Sequence, residues 1–446
     1  MKHHLTRIIA IILAASCVIL TGCTGMTPTE TTAEPTKPVT TDPTSPIYPP
    51  EPTDVPKAGL LSASFSPAGK SGRAADEAFK KAYNDFAAKL FSSCADGKEN
   101  VMISPLSVML ALAMTANGAD GITLDEMQTL LGGDIPLDVL NEYLLAYVNS
   151  LPSDEKAKFG VANSIWVREG EINVKPDFLQ RNADYYGADV YSVPFTEETV
   201  REINNWVKAK TDSMIPEIID NIPPEAVMFL INAIVFDAKW ERHFMTSQAT
   251  DIEFTNADGS KTAMELMYLA DDDSSTVYAE YGDLEGMVKF YSGGRYAFLA
   301  LIPKDESTPL SSVLGSIDPS AAFNNAVLNA NKYVFHCNMP RFEYEYEKEL
   351  TETLMDLGMA SAFSGADFSR IEENSPLYIG SVKHKTFISV GEEGTKAAAV
   401  TSVEVCKESC PMGEMKNVSF FRPFAYYIMD TETGMPIFMG TMASLK

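Results

Sequence analysis

The stretch GEEGTKAAAVTSVEVCKESCPMGE, Gly391 to Glu414, is the part of this 446-residue chain whose reading decides the fold. A glycine hinge leads into Ala397, Ala398 and Ala399, then alternating β-formers, then Cys406 and Cys410 flanking Lys407-Glu408-Ser409. Alanine is the best helix former, but Gly394 before the alanines and Val400, Thr401, Val403 and Val405 after them oppose a stable helix. As a strand, with side chains alternating at period two, the segment has one face of Thr395, Ala397, Ala399, Thr401, Val403 and Val405, all small or apolar. The other face carries Lys396, Ala398, Val400, Ser402, Glu404 and Cys406, so both charges fall on one side. A strand patterned in this way can turn its small, apolar face to the interior without burying a charge.

Outward from this segment, the chain is 45% hydrophobic and 10% aromatic; its length suggests two or three domains and permits one large mixed one. In AADEAFKKAYNDFAAKLF the residues Ala78, Phe79, Tyr83, Phe86, Leu90 and Phe91 recur at three- and four-residue intervals, which predicts an amphipathic helix. SPLSVMLALAMTANGA predicts a buried helix opened by Ser-Pro and closed near Gly118. Further helices are expected around Thr123 to Leu131, Pro136 to Asn149 and Glu197 to Thr211. Later, AVMFLINAIVFDAKW suits a strand buried on both faces, YAFLALIP and KYVFHCNMPRFEYEYE alternate, and FAYYIMDTETGMPIFMGTM reads as a hairpin around Thr431 to Gly434. Helices early and strands late predict an α+β fold, with helices packed on large antiparallel sheets.

At the N-terminus, Lys2 and Arg7 precede an apolar run from Ile8 to Leu20, broken only by Ser16 and followed by Leu20-Thr21-Gly22-Cys23. This is the plan of a secretory signal peptide, its apolar part too short to span a bilayer. Leu-Thr-Gly-Cys resembles the lipobox of bacterial lipoproteins, which implies acylation of Cys23 and a membrane-anchored protein outside the cytoplasm; a plain signal peptide, and secretion, is the other reading. Thr24 to Pro56 is rich in Pro and Thr and cannot bury enough surface to order itself. The expected organisation is a signal segment over 1–23, a stalk over 24–73 and a globular body over 74–446.

Several function classes are excluded by composition. A formal charge of -26 and the lack of a basic run interleaved with aromatics argue against nucleic acid. Outside the signal segment only His243, His336 and His384 are available as bases, and no G-x-S-x-G, H-E-x-x-H or P-loop motif occurs, so neither an enzyme nor a cofactor or metal site is expected. Asp271-Asp272-Asp273 sits among serines and reads as a solvated loop. Cys94, Cys337, Cys406 and Cys410 contain no C-x2-C pair; Cys406 and Cys410 could close a small disulfide ring or remain free thiols.

Several separated stretches, in order, resemble the serpins. NVMISPLSVMLALAMTANGADGITLDEM resembles that family's Ser-Pro-x-Ser helix, INNWVKAKT its Ile-Asn-x-Trp-Val helix, and LINAIVFDAKWERHF its Asn-Ala-x-x-Phe and Lys-Trp strand. MPRFEYEYEKELTETLMDLGMASAF, ADFSRI, VKHKTFISVGEEGTKAAA and FRPFAYYIMD with PIFMGTM carry the likeness to the C-terminus, so it covers about Ala74 to Lys446.

The resemblance implies a suicide-substrate inhibitor of serine proteases, with papain-like cysteine proteases as a second target class, acting as a monomer through a covalent acyl complex. Glu392, Glu393, Gly394, Thr395, Lys396, Ala397, Ala398 and Ala399 would be the hinge of an exposed reactive loop that is cut and then inserts into the main sheet. Ser104, Ser107, Asn232 and His384 would form the polar shutter beneath the central strands; Trp240, Arg341 and Glu392 would form the breach at the top. Counting from the hinge by the family's loop length puts the scissile bond at Glu408-Ser409, with a cut after Lys407 as one alternative; counting back from Arg422-Pro423-Phe424 gives Met412 as the other. A serpin-fold surface protein that binds without inhibiting is the competing reading, for which a bulky or proline-containing hinge would have spoken.

Overall fold

The computed structural model describes residues 58–445 apart from 66, 225, 248, 250, 271–272, 331, 374–376 and 396–413. The signal segment, Cys23 and the stalk as far as residue 57 lie outside the described residues.

Four helices come early: α1 (Glu77–Cys94), α2 (Pro105–Ala116), α3 (Gly121–Gly132) and α4 (Leu137–Ser150). They are followed by α5 (Pro176–Tyr186), α6 (Glu197–Lys210), α7 (Pro319–Leu328) and α8 (Thr351–Asp356). The strands begin with β1 (Val101–Ile103), β2 (Ala157–Arg168), β3 (Asp189–Val193), β4 (Met228–Lys239) and β5 (Met245–Thr246). Next come β6 (Glu253–Thr255), β7 (Lys261–Ala263), β8 (Leu266–Tyr268), β9 (Thr276–Tyr281), β10 (Leu284–Phe290) and β11 (Tyr296–Pro303). Last are β12 (Tyr333–Pro340), β13 (Phe342–Glu349), β14 (Lys383–Val390), β15 (Gly394–Thr395), β16 (Glu414–Ser419), β17 (Phe424–Asp430) and β18 (Pro436–Met442).

The periodicities that predicted α1 to α4 and α6 have local causes. Asp76 caps α1 by accepting from the amides of Ala78 and Phe79, and the helix buries Phe79, Tyr83, Phe86, Leu90 and Phe91 along one stripe. Ser104 caps α2, Pro105 occupies its first turn, and nearly all of its side chains are buried. That helix is apolar all round because it lies under the sheets, packed against both β4 and β18.

Three larger sheets form, in the orders β13-β14-β15-β4-β2-β3, β1-β18-β17-β11-β10-β9 and β16-β12-β8-β5, with β6 and β7 a separate hairpin. Two pairings depart from the antiparallel expectation, since β2 with β3 and β12 with β16 run parallel. Each pair is joined by a long connection rather than a tight turn, α5 lying between β2 and β3, which is what a parallel pairing requires. In the first sheet β4 pairs with β2 without interruption from Ala157↔Ala238 to Val167↔Met228.

Part of the span expected as stalk is packed on the body. Leu60 bridges Tyr191, the Leu61 amide donates to the Val190 carbonyl at 2.7 Å and the Ser192 amide to the Gly59 carbonyl at 2.7 Å, so this segment runs as an extra edge along β3. Gly59 is needed here: its φ is +74°, and a Cβ would lie 2.3 Å from the Ser192 carbonyl oxygen.

Asp273 is not part of a solvated loop. Its carboxylate accepts from Lys289 Nζ at 2.7 Å, with both side chains almost fully buried, and it also receives Ser275 and Thr276. The Lys289 ammonium in turn lies over the Phe244 ring at 4.5 Å. A carboxylate can be buried when a cation and several hydrogen bonds satisfy it, and the partner lies in β10, 16 residues further on.

Candidate functional site

The top of the first sheet is built around β15. Gly394 pairs with Lys239, and Thr395 pairs with both Ala238 of β4 and Val390 of β14. β15 runs antiparallel to both neighbours, so β4 and β14 run parallel to each other on either side of a two-residue strand. The turn feeding it is pinned by backbone contacts: Gly391 N donates to Gly394 O at 3.0 Å, Trp240 N to Glu393 O at 2.9 Å and Phe244 N to Glu392 O at 2.9 Å. The Trp240 indole adds a bond from Nε1 to Gly391 O at 2.9 Å. Gly394 is required at its position, because a Cβ there would stand 2.2 Å from the Ala238 carbonyl oxygen. Thr395 is 2% exposed and its hydroxyl lies 2.5 Å from Tyr291 Oη.

Around this turn the charged residues form a loose set. Arg341 Nη1 lies 3.7 Å from Glu392 Oε2 and 3.5 Å from Glu265 Oε2; half-exposed pairs at such distances contribute little. His243 Nδ1 lies 3.3 Å from Glu393 Oε2, near enough for a charge contact but not aligned as a hydrogen bond. Trp240, Arg341 and Glu392 are therefore brought together, with Trp240 holding the backbone and the ion pair at the rim.

Lower in the sheet, Ser104, Ser107, Asn232 and His384 converge on the N-terminus of α2. The Ser104 amide donates to His384 Nε2 at 3.1 Å, and Ser104 Oγ accepts the Ser107 amide at 3.2 Å while donating to Ile437 O at 3.0 Å. Ser107 Oγ donates to Asn232 Oδ1, and Asn232 Nδ2 donates to Asn163 Oδ1 at 2.6 Å. Burial pushes the His384 imidazole down to about 4, which keeps it neutral and an acceptor at neutral pH. A cavity of 30 Å³ opens between Ser107, Asn232 and His384, enough for a water molecule.

Of the residues expected to form the hinge, the structure describes Glu392, Glu393, Gly394 and Thr395. Lys396, Ala397, Ala398, Ala399, Lys407, Glu408, Ser409 and Met412, with Cys406 and Cys410, lie outside the described residues. Cys94 and Cys337 are free thiols. Among the described residues no group of three or more His, Cys, Asp or Glu is placed to hold a metal ion.

The sequence profile of the family described as Serpin (serine protease inhibitor) matches residues 81–445. The chain belongs to the serpin family. Among solved structures, the thermophilic serpin tengpin in its native state superimposes with a TM-score of 0.79 at 42% identity, covering 87% of this chain and all of that one. An uncharacterized serpin-like protein of Thermococcus kodakarensis is 32% identical over 82% of this chain and 85% of its own. Leukocyte elastase inhibitor A of Mus musculus is 30% identical over 80% of this chain and 97% of its own. Serpins in general are inhibitors of proteases rather than catalysts.

Three residues of this serpin's site were missed from sequence. Asn163 extends the polar cluster to β2, and it and Ser164 are the two polar side chains inside GVANSIWV, a signal that could have been read. Tyr291 had no such signal, since an aromatic at a strand end reads as core, and His243 stood out only as one of three histidines available as bases.

Proposed function

We propose that this chain is a suicide-substrate inhibitor of serine proteases. The observation that carries the reading is β15, a two-residue strand already hydrogen-bonded between two parallel-running strands and pointing down the line between them. A target protease would attack the loop with its serine, release the C-terminal side of the cut and remain as an acyl ester on the N-terminal side. The loop would then extend β15 downward, carrying the ester away before water completes hydrolysis. Both ladders support one register: six residues beyond Thr395, Thr401 would meet His384 on β14 and Asn232 on β4 together. Its face is the small, apolar one, and it would enter the polar cluster beneath the sheet, so the sequence pattern and the strand register agree on which side faces in.

The same reading makes the protein a monomer acting outside the cytoplasm. It would be held to a membrane by acyl chains on Cys23 through a stalk formed by the N-terminal region that precedes its packed segment.

The test is incubation of the purified protein with a panel of serine proteases and papain. An SDS-resistant complex, with the cut mapped by mass spectrometry to the region from Lys407 to Met412, is expected. Cleavage without a complex for every protease would favour the non-inhibitory binding protein.

A further inference from the structure

Tyr291 follows β10 directly, and its ring is completely buried, stacked on Trp240 at 4.3 Å between centroids with 16° between planes. A backbone bridge also joins Trp240 to Tyr291. The ring is thus fixed from the side that also fixes the turn at Gly391, with Phe236 of β4 edge-on to it at 5.1 Å, and its hydroxyl is delivered to β15 inside the sheet. Among the described residues its hydrogen-bond partner is Thr395 Oγ1, at 2.5 Å. Burial raises the phenol far above its ordinary range, so it stays protonated.

We propose that Tyr291 is the register pin of loop insertion, a positioning residue whose hydroxyl selects Thr395 as the residue seated opposite Val390 and Ala238. This inference rests on the loop-insertion reading above and names the residue that sets its starting register. The seat has two parts. The position opposite Lys239 admits only glycine, because any Cβ would meet the Ala238 carbonyl oxygen at 2.2 Å. The next position demands a hydroxyl small enough to be buried beside Tyr291.

Gly394-Thr395 is the pair that fits. A slip of one residue puts Lys396 against Tyr291 and Thr395 where glycine is needed; a slip of two puts Ala397 against the phenol, orphaning its hydroxyl, and Lys396 in the glycine position. A one-residue slip also turns the charged face of the loop inward. Because every later residue inherits the starting register, the pin decides whether Thr401 or a neighbour reaches His384 and Asn232.

The experiment compares wild type with Tyr291→Phe, Thr395→Val and the double variant, measuring inhibitor molecules consumed per protease trapped and, separately, the melting temperature. Each single change leaves one buried hydroxyl without its partner, so consumption should rise, on the order of tenfold. The double variant replaces both hydroxyls with matched apolar groups and should return toward wild type. A purely structural tyrosine would shift the melting temperature and leave consumption unchanged, which would overturn the pin; so would a double variant that loses as much as the two singles together. If wild type traps no protease, it is the inhibitor reading that fails. The pin is then read from hydrogen exchange of the Thr395 amide, expected on the order of tenfold faster in Tyr291→Phe, with equal exchange overturning it.

Discussion

Replacing Thr395 with arginine is the sharpest perturbation of the proposed mechanism. Thr395 is 2% exposed and hydrogen-bonded to Tyr291, so Thr395→Arg does two things if β15 stays in place. It orphans a buried phenol hydroxyl, costing about 1–3 kcal/mol. It also buries a guanidinium with no carboxylate within the seat, costing about 3–5 kcal/mol if the penalty matches that of a buried charge stripped of its partner. The sum, roughly 4–8 kcal/mol, far exceeds what two residues of ladder can return at about 1 kcal/mol per hydrogen bond. β15 should therefore leave the sheet rather than accept the charge. β4 keeps its ladder with β2, and β14 its ladder with β13, when β15 leaves, so the variant should fold and still be cut. If even half of that cost falls on the insertion step, insertion slows by roughly 30-fold to 700-fold, since each 1.4 kcal/mol is a factor of ten, and hydrolysis of the acyl ester wins. The assay is gel analysis of complex and cut inhibitor with titration of residual protease. Complex yield like that of wild type would refute the reasoning, because a charge would then have passed through the seat without consequence.

Asn232→Leu should leave the Ser107 hydroxyl and the Asn163 side chain without their partner, at about 1–3 kcal/mol each, so a melt should show a lowered transition even though the substitution is apolar. His384 predicts an acid-sensitive fold: its folded pKa is depressed to about 4, so between about pH 6.5 and 4 the unfolded chain takes up a proton that the native state refuses. Stability should therefore fall as pH drops through that window, by at most about 3 kcal/mol from this group, and denaturant titrations of His384→Asn should lack that component. Cutting the loop between Val400 and Met412 with a non-target protease should raise the melting temperature markedly, because insertion relieves the strain of the uncut form; an unchanged melt after a verified cut would point to a loop that does not insert.

How much of this could be read in advance depended on whether the determining contacts are local. The helices α1 and α2 announced themselves through caps and spacing within a few residues. The shutter residues came from family resemblance, and the structure then gathered them around one helix terminus. Asp273 was misread because its partner Lys289 lies in another strand and nothing in Asp-Asp-Asp-Ser-Ser signals burial. Gly59 to Ser62 were read with the stalk because their strand partners lie more than a hundred residues on, in β3. Tyr291 was illegible for a subtler reason: the chain carries 18 tyrosines, and which hydroxyl matters is decided by the sheet that closes over it.

The two strands flanking β15 are of unequal length. β14 ends at Lys383 and β4 continues to Met228. In the register set at Thr395, an advancing loop would run between two rails as far as Ser402 and on a single rail from Val403 to Val405. Residues at the end of such a track hold half the ladder bonds and open most readily. Leakage of a captured protease would then be governed at the far end of the journey, by how firmly two β-branched valines grip β4, while the hinge that began the movement would have no further say in how long the cargo is kept.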